Sequence, residues 1–112
     1  MSGESSVSGV RHCPILRRSV LNNNKLYEQV RDKFGVDAQL DVAIEELSEL
    51  IKEICKRKRG YPNINDLAEE IADVEIMVEQ LRFIYEFEYG ISDRVDKWKD
   101  YKLKRLADKV QE

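Results

Sequence analysis

The chain is organised around Glu45–Asp73, which reads EELSELIKEICKRKRGYPNINDLAEEIAD. The stretch is acidic at both ends, and a basic run separates the two ends. Carboxylates three residues apart project from the same side of an α-helix. Glu46 with Glu49, and Glu70 with Asp73, therefore each form an acidic pair on one helical face.

Two long helices are predicted on either side of the turn at Gly60–Asn63. One covers about Val36–Arg59, and the other runs from a cap at Asn63 or Asn65 to about Tyr89. A short connection makes two helices antiparallel neighbours, so we expect the acidic pairs to meet at the edge of the core. The predicted core stripes are Leu40, Ala43, Leu47, Leu50, Ile51 and Ile54 on the first helix, and Leu67, Ile71, Val74, Val78, Leu81 and Tyr85 on the second.

A further helix is predicted on each side of this hairpin. The first covers Lys25–Lys33 behind Asn24 as its N-cap, and the last follows a cap at Ser92 or Asp93. No stretch alternates with the period of two that a half-buried strand requires. The expected fold class is all-α, an antiparallel bundle of about four helices.

Composition predicts one soluble domain. The chain has 112 residues, 37% of them charged, with a formal net charge of -3, which argues against a nucleic-acid partner. No apolar run reaches membrane-spanning length and no secretory signal is present, so we expect a cytoplasmic protein without membrane contact. Residues 1–24 are expected to form a flexible N-terminal leader, and residues 25–112 a single helical domain.

A second apolar side on the third predicted helix indicates assembly. Ala72, Ile76, Phe83 and Phe87 fall on a different side of this helix from its predicted core stripe. Contiguous exposed apolar surface on a small protein usually marks an interface. We therefore expect a homo-oligomer, a dimer or a tetramer, that completes the bundle.

The acidic pairs predict a divalent metal site. Four carboxylates within a few ångströms repel one another, and a hard divalent cation removes that repulsion. Mg²⁺ prefers oxygen ligands and is the expected ion, with Mn²⁺ as the alternative. The region has no histidine, which argues against Zn²⁺. A solvated acidic face without a function is the competing interpretation.

The two acidic pairs also carry a family resemblance. Glu46-x-x-Glu49 followed by Glu70-x-x-Asp73, in a small helical chain, resembles the signature of the MazG-like all-α nucleoside triphosphate pyrophosphohydrolases, in particular their short stand-alone members. The surrounding segments are similar to the two motif helices and the last helix of such chains. These segments are Ala38–Leu50, Glu69–Met77 and Tyr101–Leu106.

The resemblance implies a MazG-like fold and a specific reaction. It implies Mg²⁺-dependent hydrolysis of a (deoxy)nucleoside triphosphate to the monophosphate and pyrophosphate, as house-cleaning of the nucleotide pool. It also implies that Glu46, Glu49, Glu70 and Asp73 are metal ligands. Two alternatives stay open, an enzyme similar to the phosphoribosyl-ATP pyrophosphohydrolases and a helical interaction module without enzymatic activity.

For the reaction that the resemblance implies, other side chains on the hairpin are candidates for catalysis and substrate binding. Glu53 follows Glu49 by one turn on the same side, where it would orient the attacking water, bind a second ion or simply be solvated. Lys56 and Arg57 would contact phosphates or complement the helix dipole. Gln39 lies two turns before the first acidic pair, where its amide would contact a base edge.

Overall fold

The fold consists of α-helices. The structure, a computed structural model, describes residues 13–112, with side chains from Asn23 onward. Over this range no strand occurs, which confirms the all-α class. No helix in it is both long enough and apolar enough to cross a membrane. The helices are α1 (Cys13–Phe34), α2 (Val36–Lys58), α3 (Ile64–Tyr89) and α4 (Ile91–Val110).

The first helix is longer than the sequence predicts. α1 begins at Cys13, so Lys25 is not its first residue and Asn24 is not its N-cap. Pro14 lies in the first turn, where a backbone N–H has no partner within the helix and its absence costs little. The predicted boundary at residue 24 thus falls inside a helix. The rest of the predicted leader, residues 1–12, lies outside the described residues.

The boundary between α3 and α4 depends on Gly90 and Glu86. Gly90 has φ 57° and ψ 46°, a left-handed conformation that favours glycine, and its N–H donates to the Glu86 carbonyl at 2.8 Å. The Glu86 carboxylate accepts the N–H of Ser92 at 2.8 Å. The predicted caps at Ser92 and Asp93 are wrong, because both residues lie inside the first turn of α4 and a side chain of α3 binds an N–H there.

The α2–α3 hairpin is the centre of the fold. α2 and α3 pack against each other extensively, while α1 and α4 lie against α3 and α4 makes no contact with α2 in the described chain. The buried residues of the two long helices are largely polar. They are Gln39, Ala43 and Glu53 on α2, and Met77 and Gln80 on α3.

The predicted core stripe of α2 is wrong for half of its residues. Leu47, Ile51 and Ile54 are 45%, 62% and 44% exposed. The reason is that the side of α2 facing α3 carries Gln39 and Glu53. Much of the apolar side of α2 therefore faces outward. On α3 the predicted stripe also divides: Leu67, Val74, Leu81 and Tyr85 are half-buried, and Ile71 and Val78 are exposed.

Tyr27 joins α1 to α3 through a hydrogen bond and a contact between aromatic rings. Its side chain is 5% exposed, and its hydroxyl donates to Glu79 Oε1 at 2.6 Å. The ring lies 6.3 Å, between centroids, from the ring of Phe83 on α3. Burial, and after it the Glu79 carboxylate, raises the pKa of Tyr27 to about 12. The hydroxyl therefore stays protonated and donates throughout the neutral range.

Replacing Tyr27 by Phe keeps the ring and removes this hydrogen bond. A hydrogen bond to a charged group contributes about 1.5 kcal/mol to the free energy of unfolding, so we expect the melting temperature to fall by roughly 6–12 °C. The control is Tyr85→Phe, since the half-buried Tyr85 hydroxyl has no hydrogen bond within the described chain. Equal melting temperatures of the two variants, by circular dichroism, would contradict this role.

Candidate metal centre

Three carboxylates meet between α2 and α3. Glu46 on α2 and Glu70 and Asp73 on α3 each offer an oxygen, and the three atoms lie within 4.8 Å of one another. All three side chains are half-buried. Glu70 and Asp73 are three residues apart on α3, so both face the same part of α2. We call these three residues the acidic cluster.

The surroundings of the acidic cluster raise the pKa of two of its carboxyls. Burial is the main cause of the raised pKa of Glu46, followed by the negative charge of Asp73. Burial is also the main cause for Glu70, followed by the charges of Asp73 and Glu46. Both ionised carboxylates are therefore destabilised when no cation compensates them. Further negative charges that raise both pKa values are Glu49 and Glu69.

One oxygen of the acidic cluster has no partner. Glu70 Oε1 is buried and accepts no hydrogen bond from any described residue. A buried carboxylate oxygen without a partner is unfavourable, and coordination to a cation would compensate it. Three carboxylates without histidine or cysteine form a donor set that suits Mg²⁺ or Mn²⁺ rather than Zn²⁺.

Glu49, the fourth predicted ligand, lies at the rim of the acidic cluster. Its carboxylate is 3.9 Å from Lys52 Nζ, and its side chain is 45% exposed. Its charge nevertheless contributes to the raised pKa values of Glu46 and Glu70. The geometry thus brings together three of the four predicted ligands and leaves Glu49 beside them.

Glu53, the predicted catalytic residue, is buried near the α2–α3 turn. Its Oε1 accepts a hydrogen bond from Asn63 Nδ2 at 2.6 Å, and its Oε2 lies 3.5 Å from Lys56 Nζ. The Asn63 hydrogen bond is the main cause of its lowered pKa. Glu53 follows Glu46 by seven residues, or roughly 10 Å along the helix. Its hydrogen bond and its ion pair are made with Asn63 and Lys56, at or near the turn. A catalytic role of Glu53 stays a prediction.

The predicted substrate-binding residues lie on both sides of the acidic cluster along α2. Gln39 is buried toward α3, seven residues before Glu46. Lys56 pairs with the Glu53 carboxylate, and Arg57 Nη1 donates to the Tyr61 carbonyl at 3.2 Å. The two cations therefore have partners near the turn, ten and eleven residues beyond Glu46.

Sequence reasoning missed the contacts of Asn63. The residue is the N-cap of α3, as predicted, but its side chain makes no capping hydrogen bond. It donates instead to the carboxylate and the backbone oxygen of Glu53, at 2.6 Å and 3.0 Å. The sequence does contain a signal, because Asn63 precedes Glu70 by the same seven residues that separate Glu46 from Glu53.

Comparison with protein-family models, with curated proteins and with solved structures finds no match to this chain. Any assignment of function therefore depends on the geometry of the acidic cluster and on the motifs in the sequence.

The raised pKa values predict that stabilisation by Mg²⁺ depends on pH. A carboxyl whose pKa is higher in the folded than in the unfolded chain favours folding while it is protonated, and this contribution is lost as the pH rises from 4.5 through the raised value. Without a cation, these groups therefore destabilise the fold at pH 7.5 relative to pH 5. We expect Mg²⁺ to raise the melting temperature more at pH 7.5 than at pH 5, where protons compete for the same oxygens.

This dependence is measured by thermal melts in Mg²⁺ and in EDTA at the two pH values. The double variant Glu46→Gln with Glu70→Gln is the control, since it removes both perturbed carboxyls. A Mg²⁺ effect of the same size at both pH values in the wild type would count against a cation bound by the acidic cluster.

Proposed function

We propose that the protein is a Mg²⁺-dependent nucleoside triphosphate pyrophosphohydrolase of the MazG-like type. The observation that carries the proposal is the acidic cluster, in which carboxylates from two helices converge and a buried Glu70 oxygen has no partner. The resemblance of both motif helices supports it, because all four acidic positions of the signature are present. The reaction adds water to a nucleoside triphosphate and yields the monophosphate and pyrophosphate.

The chain contributes oxygens that are held in place by two packed helices. In this proposal Glu46, Glu70 and Asp73 hold the ion, with Glu49 joining from the rim. Bound Mg²⁺ would neutralise negative charge on the phosphates and lower the pKa of an attacking water. Hydrolysis then breaks the bond between the α-phosphorus and its bridging oxygen, and pyrophosphate leaves with that oxygen.

Residues outside the acidic cluster are the candidates for contact with the substrate. Gln39 is the candidate for contact with the base, through its amide. Lys56 and Arg57 are the candidates for contact with the phosphates, and each must leave its present partner near the turn to reach them. In this proposal the enzyme hydrolyses free nucleotides in a house-cleaning role. Such an enzyme would act in the cytoplasm and would need no nucleic-acid partner.

The proposed enzyme is a homo-oligomer. Ile44, Leu47, Ile51 and Ile54 are all exposed and lie at spacings of three, four and three residues, which places them on one side of α2. We call these four residues the apolar seam. The described chain buries only Tyr27, Ala43 and Met77 among its apolar residues. That core is small for a helical domain, so we propose that a second copy of the chain covers the apolar seam.

Pyrophosphate release tests the proposed activity directly. The panel contains canonical and modified (deoxy)nucleoside triphosphates and phosphoribosyl-ATP, each with Mg²⁺ and with EDTA. We expect release from at least one triphosphate, only with Mg²⁺, and its loss in Glu49→Gln and Asp73→Asn. Release from phosphoribosyl-ATP alone would favour the related enzyme class. No release from any compound would favour an interaction module without enzymatic activity.

A further inference from the structure

A buried hydrogen-bonded pair joins α2 to the start of α3. Asn63 is 8% exposed and Glu53 is 7% exposed. Asn63 Nδ2 donates to Glu53 Oε1 at 2.6 Å and to the Glu53 backbone oxygen at 3.0 Å. Lys56 Nζ lies 3.5 Å from the other carboxylate oxygen. Each oxygen of this buried carboxylate therefore has a partner, and one of the partners comes from beyond the turn.

The spacing of this pair matches that of the acidic cluster. Glu53 follows Glu46 by seven residues on α2, and Asn63 precedes Glu70 by seven residues on the other side of the turn. Seven residues make about two helical turns. Because α2 and α3 are antiparallel, a single alignment of the two helices brings both pairs together. Sliding one helix by a turn would separate both pairs.

Apolar contacts select this alignment only weakly. Ala43, Leu50 and Leu67 are buried or half-buried on the hairpin, and packing between such side chains has little directionality. The Glu53 hydrogen bonds are directional, and a slipped alignment would leave its carboxylate buried without Asn63. Buried polar pairs specify the register of helices in coiled coils by the same mechanism.

We propose that Glu53 and Asn63 are positioning residues that fix the register of α2 against α3 and so hold Glu46 close to Glu70. Glu53 then acts through the fold and not by contact with substrate. The consequence for metal binding rests on the proposed function, whereas the register itself does not.

Three variants test the proposal. Asn63→Asp places two carboxylates against each other. Glu53→Gln combined with Asn63→Asp restores the hydrogen bond between the two side chains with donor and acceptor exchanged, but it does not restore the hydrogen bond to the backbone oxygen of residue 53. Asp is as good an N-cap as Asn, so a role in capping alone predicts no effect of Asn63→Asp. The matched control is Asn65→Asp, the same change at an exposed position in the first turn of α3.

The register is measured as the distance between spin labels on α2 and α3. The labels are attached at Ser48→Cys and Ala72→Cys, both exposed positions, in chains in which Cys13 and Cys55 are replaced by Ser. Labelled chains are diluted with unlabelled ones, and double electron–electron resonance gives the distance distribution. We expect one distribution for the wild type and Asn65→Asp, and a shift or broadening of about 5 Å in Asn63→Asp. In the double variant we expect the distribution to return toward that of the wild type, because the hydrogen bond between the two side chains is restored.

An unchanged distribution in Asn63→Asp, or no recovery in the double variant, would overturn the proposal. If Asn63→Asp fails to fold, the double variant decides: recovery of the fold supports the proposal, and continued unfolding contradicts it.

Mn²⁺ titration gives a second measurement on the same variants. We expect Asn63→Asp to bind Mn²⁺ at least about tenfold more weakly than the wild type, and the double variant to recover most of this affinity. Wild-type affinity in Asn63→Asp would overturn the link to the acidic cluster. If the wild type binds no Mn²⁺, the proposed function is wrong, and the spin-label distances still decide the register.

Discussion

Replacing Glu70 by Gln is expected to raise the stability of the metal-free chain and to abolish the proposed pyrophosphohydrolase activity. The amide has nearly the same size but carries no charge. It therefore removes both the burial of a charged group and the repulsion between carboxylates, which raise the pKa of Glu70 and, by the same two causes, that of Glu46. The same change removes an oxygen ligand with high affinity for Mg²⁺. We expect a higher melting temperature in EDTA, no further increase with Mg²⁺, and pyrophosphate release reduced at least about 100-fold.

The matched control is Glu75→Gln, the same change at an exposed residue of α3 outside the acidic cluster. Most substitutions destabilise a protein. A gain in stability on loss of the Glu70 carboxylate would therefore indicate that the metal-free carboxylates of the acidic cluster destabilise the fold. A lower melting temperature of Glu70→Gln in EDTA, together with a preserved response to Mg²⁺, would show that Glu70 is structural.

Replacing Ile51 by Glu is expected to prevent assembly and to destabilise the fold. Ile51 lies in the middle of the apolar seam and is 62% exposed in the single chain. In an assembled protein, loss of its burial alone costs about 2 kcal/mol per chain, and the buried carboxylate costs more. Sedimentation velocity is expected to show an oligomer for the wild type and a monomer with a less cooperative thermal transition for the variant.

The control is Val110→Glu, which introduces the same charge at an exposed apolar residue at the end of α4. This variant should sediment as the wild type does. A monomeric wild type that unfolds cooperatively would contradict the proposed assembly, since the described core would then be sufficient on its own.

Much of the hairpin could be predicted from the sequence. The turn at Gly60 and the limits of α2 and α3 follow from glycine, asparagine and the basic last turn, which are local signals. The start of α1 could not be placed in this way, because Pro14 and Asn22–Asn24 are residue types that are common in loops. A first turn nevertheless tolerates proline, and a helix interior tolerates asparagine at modest cost.

The orientation of α2 was the main failure of sequence reasoning. Apolar periodicity identifies the side of a helix that favours burial, but it does not identify the helix or subunit that packs against that side. Here Gln39, Glu46 and Glu53 face α3, while Ile51 and its neighbours in the apolar seam face outward. The acidic pairs were predicted to meet at the edge of the core, and three of their carboxylates do lie close together, as half-buried side chains of α2 and α3. The partner of Glu53 lies outside both motifs, and its one signal in the sequence is the seven-residue spacing between Asn63 and Glu70.

Mn²⁺ binding to the full chain decides whether the acidic cluster is a metal centre. Electron paramagnetic resonance of free Mn²⁺ gives the bound fraction for the wild type and for the double variant Glu46→Gln with Glu70→Gln. We expect the wild type to bind at least one Mn²⁺ per chain, Mg²⁺ to displace it, and the double variant to bind none at the same concentrations. Equal binding by the two proteins, or no binding by the wild type, would contradict a metal centre at the acidic cluster.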